Sequence, residues 1–474
     1  MLRFRPFLDM LTMSKLSILG AVLVTTAVGA DVMLIVGELL IFESNPYIGI
    51  VAYVIFPSVA ALGLGLIPAG ILLHERKRLR ANQVREIVSR IRRMYILRLI
   101  LILSMFNFVI FAFVGYRGFH YVESAEFCGL LCHQVMSPEY TAYKYSPHSE
   151  IHCVDCHVGS GPGWFLKSKL DGTRQLLGVI TDNYARPIET PIHNLRPAKD
   201  VCQVCHSTES YQGSRIKVIE RYLSNEANTR TYTVLNLLLG ADGKAWTDPD
   251  RRGIHWHSSE DHEIRFFSTD HKRQNVVRVE LTTKDGDMRV WTRPGTENAP
   301  IHPEPETMRI MDCVDCHNRP AHNFRPPDVA LDESLAADKL DPAVPWIRKL
   351  SEELITTTYE SSEEAMAAIA KLPEIYQQRF PNLWFIHAAQ VRESVPVLQE
   401  IYSANVFPEM KIDWNTYPSH LGHPTAHSAG CFRCHDGGLV DQQGSVITND
   451  CTACHYVLAE DEQDPVVLRM LEDR

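Results

Sequence analysis

Twelve cysteines fall into six close pairs, and each pair is followed directly by a histidine. Five pairs have the form Cys-x-x-Cys-His, and the first has three intervening residues. The six motifs are Cys128/Cys132 with His133, Cys153/Cys156 with His157, Cys202/Cys205 with His206, Cys313/Cys316 with His317, Cys431/Cys434 with His435, and Cys451/Cys454 with His455. Two such thiols add to the vinyl groups of a porphyrin, and the adjacent histidine binds its iron. The pattern predicts six c-type haems, because neither disulfides nor zinc knuckles require a histidine after every pair.

Three apolar stretches precede the first motif, at about 16–42, 47–73 and 95–116. Each is long enough to cross a bilayer. Eight Lys and Arg residues lie between Arg76 and Arg93, which places that loop in the cytoplasm and everything after Tyr116 outside. Haem is attached after export, so the motifs independently indicate the same side. The sequence therefore predicts a bacterial inner-membrane protein with a periplasmic haem domain.

The first stretch has a second interpretation, a secretion signal cleaved after Val28-Gly29-Ala30. The apolar run resumes at Val32 and continues to Phe42, which favours a retained helix. In the second stretch, Gly63, Gly65 and Gly70 predict close helix packing, inside this chain or against a partner.

The predicted fold is mainly α, with much irregular haem-packed structure and a β-rich insertion. Residues 1–117 form the membrane anchor, 118–206 a three-haem module, 207–312 the β-rich insertion, and 313–474 a second three-haem module with a helical segment. The anchor carries 13 basic and 6 acidic residues, whereas the rest of the chain has a net charge of −17. An acidic domain outside the membrane is consistent with a basic partner or with simple solubility.

A haem that transfers electrons usually takes a second axial side chain, His or Met. One candidate pair, His255 and His257, lies in the segment Gly253–His257, and we take His257 as the ligand. The full set of candidates is Met136, His148, His193, His257, His322, His420, His423 and His427.

The segment CHQVMSPEYTAYKYSPHSEIHCVDCHVGSGPGWFLKSKLDGTRQ, together with the membrane helix before it, resembles the NapC/NirT family of membrane-anchored quinol dehydrogenases. The resemblance covers 95–206, and the overall plan is similar to the extended inner-membrane members of metal-reducing bacteria. It implies that quinol binds beside the first haem. Met136 then matches the family's methionine ligand, displaced by one extra residue, and His148 matches a distal ligand to a neighbouring haem. Lys169 matches a family lysine near the quinol. Gln175 occupies the position of the family's aspartate, with Asp171 one turn upstream and Lys167 as a second cation.

We therefore expect a membrane-bound hexahaem cytochrome that oxidises menaquinol at the periplasmic face and passes electrons to a periplasmic cytochrome or reductase. Its partners would be membrane lipid, the quinol pool and subunits of a larger membrane complex, and no nucleic acid. Two alternatives stay open. One is a non-catalytic wiring subunit of a respiratory complex. The other is a terminal reductase with an open haem.

Overall fold

The computed structural model describes residues 14–40, 55–81, 98, 117, 121, 123–130, 133–158, 162–190, 197–206, 213–240, 253–296, 308–425 and 428–472. Several predicted features lie outside these residues: most of the third apolar stretch, Cys132, His193, His427 and the side chain of Lys169. The chain divides into two compact units. The first contains residues 1–136 and 152–154, and the second contains residues 137–151 and 155–474.

The first unit contains two long apolar helices, α1 (Lys15–Leu40) and α2 (Phe56–Ala81). They pack closely: a Cβ on Gly63 would lie 2.7 Å from the Gly20 carbonyl oxygen, and a Cβ on Gly70 would lie 2.5 Å from Ser17 Oγ. A Cβ on Gly65 would meet no described atom within 4 Å. Small residues allow this approach of two backbones. Two of the three predicted glycines therefore pack inside the chain.

Within the described residues, one helical segment, Phe56–His74, is long and apolar enough to cross a membrane, and Lys15–Ala30 is a shorter apolar helix. The first unit then continues through α3 (Ala125–Leu130) into α4 (His133–Lys144), which runs on into the second unit. The first cysteine motif lies across α3 and α4.

The second unit contains two antiparallel sheets. In the first, β1 (Ser214–Tyr222), β2 (Arg230–Leu238) and β7 (His455–Glu462) pair in that order. The second sheet has the order β5-β4-β3-β6, with β3 at His262–Ser268, β4 at Val276–Thr283, β5 at Met288–Thr292 and β6 at Arg309–Ile310. Strands β1 to β6 lie within residues 207–312, where the sequence predicts a β-rich insertion. The pairing Leu235↔Val457 shows that the C-terminal segment completes a sheet begun in the predicted insertion.

Five helices form a separate layer of the second unit: α9 (Pro327–Ala336), α10 (Ile347–Ile355), α11 (Ser362–Ile369), α12 (Leu372–Arg379) and α13 (Pro381–Asn405). Their fully buried residues include Leu331, Leu335, Ile347, Ile369, Leu372, Tyr376 and Leu398. Apolar residues recur every three or four positions in these helices, and this period produces one buried face. The described fold is therefore a mixture of helix and sheet.

Candidate functional site

The second to sixth cysteine motifs lie on short helical turns. These are α5 (Cys153–His157), α7 (Ala198–Cys202), α8 (Cys313–Cys316), and 3-10 turns at Gly430–Arg433 and Cys451–Ala453. In the third, fourth and fifth motifs, the histidine N–H donates to the carbonyl of the first cysteine at 2.8, 2.8 and 3.1 Å. Residues three apart on a helical turn lie on the same side, so the two thiols of a motif face together. The eleven described cysteines are present as thiols and not as disulfides.

The described cysteines differ in their exposure to solvent. Four of them are exposed, Cys156, Cys205, Cys431 and Cys451, and the other seven are half-buried. Cys156 and Cys205 lie at the ends of short surface turns, where the neighbours Asp155 and Val204 are exposed as well. Exposure leaves these thiols accessible to a porphyrin edge, and haem attachment at them stays a prediction from the motif.

A second histidine ring lies beside the histidine of each of these five motifs. The ring centres are 6.1 Å apart for His157 and His322, 6.1 Å for His206 and His148, 6.4 Å for His317 and His255, 5.8 Å for His435 and His257, and 5.6 Å for His455 and His423. All ten residues belong to the second unit. In every pair the second histidine comes from outside the motif itself.

These separations can be compared with the distance between the centres of two imidazole rings that bind one metal ion. A metal–imidazole bond is about 2.0 Å long and the bonded nitrogen lies about 1.1 Å from the ring centre, so two imidazoles across one iron have centres about 6.2 Å apart. The observed range of 5.6–6.4 Å leaves room for one iron between the rings. Two thiols and two opposed histidines therefore fit a covalently bound, six-coordinate haem at each of the five motifs.

Backbone carbonyls orient five of these ten rings. Nδ1 is hydrogen-bonded to a carbonyl oxygen in His148 (Pro320, 3.2 Å), His255 (Leu239, 3.2 Å), His257 (Ile254, 2.7 Å), His322 (Glu139, 2.9 Å) and His435 (Thr448, 2.6 Å). A carbonyl can only accept, so the ring proton is on Nδ1 and Nε2 is left to bind a metal. Metal-ligating histidines commonly have this second partner.

Burial keeps several of the paired histidines neutral. Removal from water lowers the pKa of His257 to about 4, and it also lowers the pKa of His157, His255, His317 and His455. A buried imidazole loses its charged form because the low-dielectric surroundings disfavour the cation. The neutral ring is the form that binds iron.

The structure brings four of the predicted distal candidates to a motif histidine: His148, His257, His322 and His423. It does not bring His420 to one. The ring of His420 is held between two carbonyls, with Nδ1 3.0 Å from the Asp315 oxygen and Nε2 3.1 Å from the Lys272 oxygen. Burial lowers the pKa of His420 to about 4, so the neutral ring donates a hydrogen bond to one of these two carbonyls. Iron binding by His420 stays a prediction from the sequence.

His255, whose ring lies beside that of His317, is a candidate distal ligand that the set chosen from the sequence does not contain. It shares the 3-10 turn Ile254–Ser258 with His257, and the two rings contact different motifs, the fourth and the fifth. The available signal was the His-x-His spacing: two histidines two residues apart on a tight turn point in different directions and can serve two centres.

The first motif differs from the others. Met136 lies half-buried on α4, three residues after His133. Met136 stays the predicted methionine ligand of this motif. Three of the predicted quinol residues, Lys167, Asp171 and Gln175, are exposed and lie four residues apart along α6 (Pro162–Ile180). They therefore line one face of that helix.

Covalent haem motifs with paired histidines, in a chain that also carries apolar helices, define a membrane-associated multihaem c-type cytochrome, a class that carries electrons. Comparison with known proteins gives the same class. Residues 90–218 match the N-terminal region of the NapC/NirT cytochrome c family. The chain is 37% identical to the cytochrome c-type protein ImcH of Geobacter sulfurreducens over 460 residues, which is 94% of this chain and 88% of that protein. The chain therefore belongs to the NapC/NirT cytochrome c family. No solved structure matches it.

Proposed function

We propose that this chain is a six-haem quinol dehydrogenase that oxidises menaquinol at the periplasmic face of the inner membrane and passes the electrons to a periplasmic acceptor. The observation that carries the proposal is the set of five histidine pairs. Iron with two axial histidines has no open position for a substrate, so these five centres suit electron transfer and not chemistry on a small molecule. This argues against a terminal reductase at the second to sixth motifs.

Each residue type has a defined task in this proposal. The paired cysteines would hold the haem covalently, and the two histidines would bind its iron. When bound, the haem supplies a one-electron Fe(II)/Fe(III) couple. The carbonyl-bonded Nδ1 atoms fix each ring in one orientation, which limits the structural change that accompanies electron transfer. The chain's contribution is therefore to hold the centres in fixed positions.

Quinol oxidation also releases two protons, and the exposed face of α6 offers groups to take them. We assign the Asp171 carboxylate as the acceptor of a quinol hydroxyl proton, and the Lys167 ammonium as a hydrogen-bond donor to a quinol oxygen. Lys169 and Gln175 complete this set by resemblance to the family. Quinol would meet the first motif, which follows the predicted third membrane span directly. Electrons would leave from the fifth and sixth motifs near the C-terminus.

The test uses the full-length holoprotein in detergent. A haem stain with intact-mass measurement is expected to show six haem additions. After anaerobic mixing with menaquinol, the haems are expected to become reduced, as followed by their absorbance bands. Lys167→Ala should slow this reduction, whereas Arg174→Ala, an exposed cation on the same helix, should not. Haems that stay oxidised with menaquinol alone, but are reduced once a co-purified membrane subunit is present, would instead support the wiring-subunit alternative.

A further inference from the structure

The side chain of Asp312 caps two haem-motif helices at once. Its Oδ2 accepts hydrogen bonds from the backbone N–H of Ala198 at 2.7 Å and of Lys199 at 3.3 Å, at the start of α7. Its Oδ1 accepts from the N–H of Cys313 at 2.7 Å, at the start of α8. The first N–H groups of a helix have no partner within the helix, and a carboxylate there satisfies them. One residue therefore joins the third motif to the fourth.

The cysteines of the same two motifs are also in contact. The thiols of Cys202 and Cys313, the first cysteine of each motif, are neighbours, because Cys202 raises the pKa of the Cys313 thiol. These sulfurs are the covalent attachment points, so two porphyrins attached there meet at one place in the fold. The third motif lies within the matched family region 90–218, whereas the fourth lies beyond it. The contact thus connects the family region to the C-terminal extension.

We propose that Asp312 is a positioning residue that holds the third and fourth centres together and so sets electron transfer between the family region and the C-terminal extension. This rests on the proposed electron-transfer function, but not on quinol as the donor. Asp312 touches no reacting atom. It acts by fixing the first turns of two short helices relative to each other: α7 has five residues and α8 has four.

A matched control is available in Asp450. It caps the sixth motif in the same way, with Oδ1 2.8 Å from the N–H of Thr452. Asp450 accepts hydrogen bonds from both the backbone N–H and the hydroxyl of Thr452, which lies in the sixth motif. Removing Asp450 tests the loss of a motif cap, and removing Asp312 tests the loss of a cap shared by two motifs.

The experiment measures magnetic coupling between oxidised haems in the full-length holoprotein, by microwave power saturation of the EPR signals. Asp312→Ala is expected to lower the half-saturation power of the fourth-motif signal, because a separated neighbour relaxes it less. One N-cap changes a helix population about fivefold, so loss of both caps is expected to favour the separated arrangement about 25-fold. Asp312→Asn, which retains one acceptor oxygen, should fall between Asp312→Ala and the parent protein.

Asp450→Ala should leave the fourth-motif signal unchanged. If Asp312→Ala carries all its haems and saturates like Asp450→Ala, the proposal is wrong. If Asp312→Ala loses haem, the same saturation measurement is made on the Ala198→Pro variant instead. Proline lacks the N–H that binds Asp312 and is tolerated at the first position of a helix. Parent-like saturation in Ala198→Pro would also overturn the proposal. None of these readouts uses quinol, so failure of the quinol assignment would leave them unaffected.

Discussion

Replacement of His257 by alanine should remove the distal ligand of the fifth motif and leave that of the fourth intact. The two ligands are two residues apart on one 3-10 turn, so this is a demanding test of the assignment. His255 lies 6.4 Å from His317 of the fourth motif, and His257 lies 5.8 Å from His435 of the fifth. His257→Ala should therefore leave the fifth-motif haem without its distal histidine, and His255→Ala should do the same to the fourth-motif haem.

The ring orientations predict which signal each variant loses. The rings of His255 and His317 are nearly parallel, at 8°, whereas those of His257 and His435 are nearly perpendicular, at 85°. Parallel axial imidazoles give oxidised low-spin iron a rhombic EPR spectrum. Perpendicular ones give a highly anisotropic spectrum dominated by a single low-field feature, because ring orientation sets the splitting of the iron d orbitals. One of five histidine pairs is lost, so about one fifth of the bis-histidine intensity should become high-spin.

The assay is EPR of the fully oxidised holoprotein, with near-infrared magnetic circular dichroism to count bis-histidine haems. His257→Ala should lose the anisotropic feature, and His255→Ala should lose a rhombic spectrum. His271→Gln, an exposed histidine in the same unit, serves as the control and should change neither. If both alanine variants lost the same signal, or if His257→Ala lost the rhombic one, the assignment of two centres to one turn would be refuted.

Three further predictions follow from buried charges and close packing. Arg348→Met should destabilise the protein by about 3–5 kcal/mol in chemical denaturation, because it leaves the buried Asp332, now 2.9 Å from Arg348 Nε, without its partner. Glu139→Gln should raise the potential of the second-motif haem by tens of millivolts, since the buried carboxylate beside its distal histidine stabilises Fe(III), and about 59 mV corresponds to a tenfold change for one electron. Gly63→Leu should separate α1 from α2 and lower the thermal midpoint of the detergent-solubilised protein, whereas Gly65→Ala should not.

Each of these predictions has a control or a contrary result. Arg379→Met removes an exposed ion pair with Glu353 and should cost under about 1 kcal/mol, so an equal loss in both arginine variants would refute the burial argument. For Glu139→Gln, a lower potential in redox titration would contradict the electrostatic reasoning. For the glycines, identical melting of the two variants would show that the α1–α2 contact contributes nothing.

Local patterns in the sequence were sufficient for the attachment chemistry and for many elements. The spacing of the motifs already places two thiols and a histidine together, because all three lie on one helical turn. Which cysteines are exposed was not predictable in this way, since exposure depends on what packs over each turn. Strands β3 and β4 and helix α10 were predictable, since apolar periods of two and of about 3.6 residues belong to single elements. Strand β1 carries no such signal, because most of its residues are exposed and no buried face marks it.

The pairing of distal histidines with motifs was decided by tertiary structure. His148 lies five residues before Cys153, yet its ring lies against His206 of the third motif. His322 lies five residues after His317, yet it lies against His157 of the second. Proximity in sequence also pointed to His420, whose ring lies between the carbonyls of Asp315 and Lys272. A distal ligand must approach from the side of the porphyrin opposite its motif, and only a segment folded over from elsewhere in the chain can do so. The sequence by itself thus determined where each haem is attached, and the packing of distant segments determined what completes its coordination.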